Sequence, residues 1–162
     1  MAIIKVADLG ISSGVNKPSF QAWLSGSFTA PSSVRTLVPF NVVSFDNDNS
    51  FNTSNNRFIA PSAGRYMFHC TLFVDDLDDG DLAQIWFFKN GSRDFDVGGV
   101  TKRILSQDFS PTSGRNLMPT LTAILDLSKD DYVQPYINHD QGSDQNVNHQ
   151  YSYFTGCKLI GT

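Results

Sequence analysis

The chain has 162 residues, sixteen acidic and twelve basic side chains, a net charge of −4 and thirteen Phe. That length suits one domain with a core of its own, and the Phe content favours strands over helices. The scattered Lys and Arg form no stripe for a phosphate backbone, which speaks against nucleic acid as a partner, and no apolar run approaches the roughly 20 residues of a membrane helix.

Residues 1–17 read as an extended arm. Ile3, Ile4, Val6, Leu9 and Ile11 are apolar, while Gly10 and Ser12-Ser13-Gly14 break any regular element. A segment of this kind orders only when docked, so these five aliphatics are the candidate docking residues. Ala2-Ile3-Ile4 is too short for the apolar core of a signal peptide, so no export signal is expected.

Strand signals follow at short spacing. Residues 20–24, 34–40 (continued by 41–45), 57–59, 65–74, 82–89, 94–105, 117–127, 132–138 and 151–160 alternate or run apolar, with turn residues between them. Asn90-Gly91 predicts a hairpin, because both residues tolerate positive φ. Residues 46–56 and 140–150 read as polar loops. No stretch keeps a period of 3.6, so the expectation is all-β: an antiparallel jelly-roll sandwich in one domain, residues 18–162.

Residues 57–74 organise the chain. Tyr66, Phe68, Cys70, Leu72 and Val74 form one apolar strand face. The opposite face carries Met67, His69 and Phe73, which predicts burial against a second layer or a sister subunit. Cys70 and Cys157 are the only cysteines; they are read as reduced, gap-filling residues, a disulfide being the alternative in an oxidising compartment.

Four segments carry a resemblance: Asn56-Arg57-Phe58, Gly64-Arg65-Tyr66-Met67-Phe68, Phe87-Phe88-Lys89-Asn90-Gly91 and Phe154-Thr155-Gly156. In order and spacing they resemble the globular head of the complement and tumour-necrosis-factor superfamily. Residues 125–131 are similar to the family's turn before the penultimate strand, with Asp130 where Gly is usual. Lys158 stands where leucine is common. The resemblance implies a ten-stranded jelly roll that assembles as a homotrimer, and the strand parity above puts Met67, His69 and Phe73 at the expected subunit contact. The arm, residues 40–46 and residues 56–66 also look like small tail-fibre or capsid-associated proteins of bacteriophages.

Strand alternation sends residues 75–81, 106–116 and 139–150 to one end, opposite the arm. His139, Asp140, Gln141, Asp144, Asn146, Asn148 and His149 are the candidate ligand loop, with the amides and carboxylates that bond sugar hydroxyls. Asp75, Asp78, Asp79 and Asp81 are candidate calcium ligands, against the simpler reading of a solvated acidic loop. A helix-loop-helix calcium site is excluded, since its third ligand would fall on Leu77. No nucleophile elbow, phosphate loop or zinc spacing is present, and no other cofactor is expected.

The sequence therefore points to a non-enzymatic virion module of a bacteriophage. It would be a trimeric decoration, fibre or spike protein joined to other virion proteins through residues 1–17, assembled in the host cytoplasm, and facing a host glycan or receptor. A secreted lectin-like or ligand head is the alternative reading, and a glycan hydrolase the third.

Overall fold

The computed structural model describes residues 17–78, 80–92, 96–97, 100–101 and 115–159. The strands are β1 (Ser19–Trp23), β2 (Phe28–Ala30), β3 (Thr36–Leu37), β4 (Val42–Asp46), β5 (Phe51–Asn52), β6 (Arg57–Ile59), β7 (Gly64–Leu77), β8 (Ala83–Lys89), β9 (Asp96–Val97), β10 (Val100–Thr101), β11 (Arg115–Leu117), β12 (Thr120–Leu127), β13 (Tyr132–His139) and β14 (Gln145–Lys158). The large sheet runs β4-β1-β14-β7-β12, with β2 also on β14 and β11 also on β7. The small sheet runs β8-β13-β6-β5, with β3 also on β13; β9 and β10 form a separate ribbon. All pairings are antiparallel, and from β6 onward β7, β8, β12, β13 and β14 alternate between the two sheets. The result is an all-β, jelly-roll-like sandwich.

Its core is aromatic. Phe20, Phe40, Phe58, Tyr66, Phe68 and Phe154 are fully buried. Phe20 stacks on Phe51 at 5.0 Å and Phe58 at 5.2 Å, and meets Phe154 edge-on at 5.0 Å. Such pairs add about 0.5–1.5 kcal/mol each beyond buried area. The rings close because Gly156, opposite Phe20 and Phe68 on the neighbouring strands, has no side chain. A Cβ there would lie 2.6 Å from Phe68 Cδ1 and 2.9 Å from Phe20 Cε1.

Several expected elements are divided differently, each for a local reason. Residues 34–45 are two strands in different sheets, because the chain crosses from β3 to β4 around Pro39. Residues 117–127 break at Pro119, which has no N–H for a ladder; its carbonyl instead accepts from Leu72 N–H at 3.1 Å. Within residues 46–56, expected as loop, Phe51 is buried and pairs with Phe58. The described residues thus form fourteen strand segments, against the ten strands expected. Most of residues 94–105 and the arm residues Ile3, Ile4, Val6, Leu9 and Ile11 lie outside the described residues.

The hairpin at Asn90-Gly91 is present, with φ of 51° and 78°. Lys89 and Ser92 exchange backbone hydrogen bonds of 2.9 Å across it. Lys158 N–H donates to the Pro18 carbonyl, and Gly64 faces Leu127, so the start of β1, the end of β14 and the short turns share one end. The far end holds the β7–β8 and β13–β14 connections, joined where Asp140 Oδ1 accepts from Leu82 N–H at 2.6 Å.

Candidate functional site

Outward-pointing residues of the large sheet line up in rungs across its paired strands, with one register shift on β4 between the second and third rungs. One rung is Ser19, Cys157, Met67 and Ile124. The next is Phe45, Gln21, Thr155, His69 and Thr122, and the third is Val42, Trp23, Tyr153, Thr71 and Thr120. Beyond them Phe73 packs on Tyr151, ring centroids 5.1 Å apart. Met118 stands beside Phe73, since Leu117 opposes Val74 and Thr120 opposes Thr71.

Seven large hydrophobic side chains are exposed among the described residues. Six of them, Val42, Phe45, Met67, Met118, Ile124 and Tyr151, lie on this face, each 39–52% exposed. They fall in two groups, Val42 and Phe45 on the β4 edge and Met67, Met118, Ile124 and Tyr151 around β7 and β12, and exposed apolar groups gathered on one face are the surface expected of a contact. Met67, His69 and Phe73 share the face, as expected. Sequence reasoning missed Ile124 and Met118, although both stand out in the otherwise polar set Met118, Thr120, Thr122 and Ile124.

The centre of the face is polar. His69 Nδ1 lies 2.8 Å from Thr122 Oγ1, and its Nε2 lies 3.1 Å from both Thr71 Oγ1 and Tyr153 Oη. Thr71 continues the chain to Thr120 at 3.2 Å. The Trp23 ring flanks Tyr153 at 5.4 Å, and its N–H donates to Ser44. Burial holds the His69 imidazole below the ordinary histidine value. Cys70 points inward, where burial pushes its thiol well up, while Cys157 points outward opposite Met67. The two thiols sit on opposite faces and are free. Only Cys70 fills the core; the expectation for Cys157 is corrected by strand parity.

The last strand carries a bulge. Asn148 opposes Phe73 and Tyr153 opposes Thr71, so β14 holds three residues more than β7 between those pairs. Buried Ser152 pins the loop: its hydroxyl accepts from Phe73 N–H at 3.0 Å and donates to the Asn148 carbonyl at 2.6 Å. The surplus pushes Tyr151 out onto the apolar face.

At the far end the expected ligand loop is divided. His139 is fully buried, not displayed, because it continues the inward set Val133, Pro135 and Ile137; its Nε2 lies 2.7 Å from the Ala30 carbonyl. Asp140 holds Leu82. Asn146, Asn148 and His149 lie on β14 rather than in a loop. Asn146 donates to Asp75, Asn148 Oδ1 accepts from Gln150 N–H at 2.9 Å, and His149 Nδ1 lies 3.1 Å from Ser27 Oγ. Gln141 and Asp144 remain in the turn between β13 and β14. Asp81 Oδ2 accepts from Asp78 N–H at 2.9 Å, and Asp79 lies outside the described residues. Among the described residues no three His, Cys, Asp or Glu side chains are placed to hold a metal ion.

A model of the C1q domain matches residues 19–159. The chain belongs to the C1q domain family. Its fold is similar to the globular domain of zebrafish complement 1qA protein (TM-score 0.56, 21% identity, 89% of this chain and 98% of that one). It is also similar to the Eiger tumour necrosis factor of S. frugiperda (TM-score 0.56, 14% identity, 90% and 92%). One curated relative, the uncharacterized protein YqcC of Bacillus subtilis strain 168, is 28% identical over 112 residues, 69% of this chain. The chain spans 30% of that relative's length.

In this C1q domain the motif residues that carried the resemblance are structural. Asp131 accepts from Asn90 Nδ2 at 2.7 Å and from Ser128 N–H at 2.8 Å, and pairs with Lys89 at 2.9 Å. Burial pushes its carboxyl up, but the bonds from Asn90, Lys89 and Ser128 outweigh that and hold it below the ordinary value. Lys158, in the leucine position, bridges Ser62 Oγ and the Ala63 carbonyl at 3.0 and 2.8 Å, tying the turn before β7.

Proposed function

We propose that this C1q domain is a non-enzymatic binding head that assembles as a homotrimer through the outer face of its large sheet. The observation that carries the proposal is the gathering of six exposed hydrophobic side chains on that one face. Burying them against identical surfaces at about 25 cal/mol per Å² supplies the drive for assembly, and a face covered by sister subunits leaves the far end free for a ligand. The fold similarity to complement and tumour-necrosis-factor heads supports a binding or ligand module. The narrower setting, a phage particle joined through residues 1–17, rests on the resemblance of the arm, residues 40–46 and residues 56–66 to virion proteins. Light scattering on the purified chain tests the assembly: three chain masses are expected, and a single chain mass at micromolar concentration would overturn it. Deleting residues 1–14 should leave that mass ratio unchanged.

A further inference from the structure

We infer that His69 makes this assembly acid-labile, acting as a proton-operated latch at the centre of the subunit contact. The inference rests on the trimer proposed above and adds its regulation. The latch is built from placement. His69 occupies the middle rung, with Met67 and Ile124 on one side and Phe73, Met118 and Tyr151 on the other. A sister subunit that covers those side chains also covers the imidazole.

Among the described residues the groups facing His69 are uncharged. Thr122 on β12, Thr71 on β7 and Tyr153 on β14 supply only hydroxyls. Thr155 on β14 stands directly opposite, and β1 offers Gln21, Ser19 and Trp23. The Cys157 thiol is one rung away on β14. Of the charged residues on the neighbouring strands, Asp76 lies seven residues further along β7, and the following are engaged elsewhere. Asp126 on β12 pairs with Arg65 on β7 at 3.1 Å, and Asp75 on β7 accepts from Asn146. Asp46 on β4 accepts from the Ser50 and Phe51 N–H groups. Lys158 on β14 is held by the turn before β7. Among the described residues no carboxylate is in place to balance an imidazolium, whose desolvation then opposes assembly.

In the neutral state one ring nitrogen donates and the other accepts, and the hydroxyls orient to suit both. In the lone protomer a proton is tolerated, because rotating those hydroxyls turns each into an acceptor and the ring keeps part of its contact with water. Assembly removes that water. Each subunit must then enter with His69 neutral, so a trimer excludes three protons. By linkage its association constant falls by up to about a thousandfold per pH unit between the free and assembled imidazole pKa values.

Sedimentation velocity from pH 7.5 to 5.0, on the chain and on His69→Gln, tests this. The expected result is a wild-type trimer that dissociates as pH falls below the histidine range, while the variant stays trimeric. A wild-type trimer that persists at pH 5.0, or a variant that dissociates at the same pH, overturns the latch and leaves the trimer standing. A wild-type monomer at pH 7.5 overturns both. If His69→Gln does not assemble at pH 7.5, the imidazole resonances of the wild-type chain decide. His69 must titrate at lower pH in the trimer than in the dissociated protomer, and equal midpoints overturn the latch.

Discussion

The two sheets of the sandwich hide the same core and treat their outer faces in opposite ways. On the small sheet the outward residues are as aromatic as on the large one, yet the rings cover each other. Phe88 stacks on Tyr136 at 4.0 Å, Arg35 lies over Trp86 at 5.4 Å, and Arg57 over Tyr132 at 4.4 Å. Guanidinium groups shield ring faces and present their own N–H edges to water. On the large sheet Met67, Ile124, Met118, Val42 and Phe45 carry no such cover among the described residues. Apolar content alone therefore does not distinguish an interface from a wall. What distinguishes them is whether the protomer shields its own hydrophobic surface.

The largest effect should come from charging the uncovered face. Met67→Asp with Ile124→Asp places carboxylates on adjacent strands of one rung, where a sister subunit would bury them. The expected outcome in sedimentation is a folded monomer with an unchanged far-ultraviolet spectrum. A double variant that still runs as a trimer would show that the face is not the contact. The complementary change is Gly156→Ala, whose new methyl enters the core between Phe68 and Phe20 and touches neither outer face. Overpacking of this kind costs about 1–3 kcal/mol. Thermal melting should fall accordingly while the folded fraction still assembles, which separates fold from contact.

How much of this was legible in the sequence follows the same division. The core face of β7, the Asn90-Gly91 hairpin and the outward position of His69 follow from strand parity and turn chemistry, both local. The motif residues marked the family for a related reason. Gly156 answers to two ring contacts and Asp131 to a hairpin 41 residues away, so they specify packing. The candidate ligand loop was illegible because polarity in a sequence does not separate a solvated side chain from one satisfied inside. His139 and Asp140 look like display residues and are tied to Ala30 and Leu82. The bulge before Tyr153 was equally hidden, since only pairing with β7 reveals three surplus residues.

Acid should separate contact from fold as well. His69 has a folded value below its ordinary 6.5, so the unfolded chain binds the extra proton. The stability this histidine contributes is present above pH 6.5 and lost as pH falls from there toward the folded value. Asp131 is depressed from 3.8, so its contribution is present above that value and disappears only as pH falls below it, through the folded pKa. With the proposed latch working in the histidine range, assembly should fail before the turn that joins β8, β12 and β13. Parallel titrations of mass and of circular dichroism check the order. Coincident transitions would mean that the subunit contact and the fold are one cooperative unit.

The smallest effect tests the shielded face. Arg35→Ala and Arg57→Ala each remove a guanidinium from a ring, which costs about 0.5–1 kcal/mol at an exposed site. Denaturant midpoints should move slightly and additively, because the two arginines cover different rings on different rungs. The oligomer at neutral pH should not change, since the proposed contact lies on the other sheet. The double variant removes both guanidinium groups from the outer face of the small sheet. If shielding is what keeps that surface out of contacts, sedimentation at rising concentration should show the double variant alone forming species heavier than the trimer.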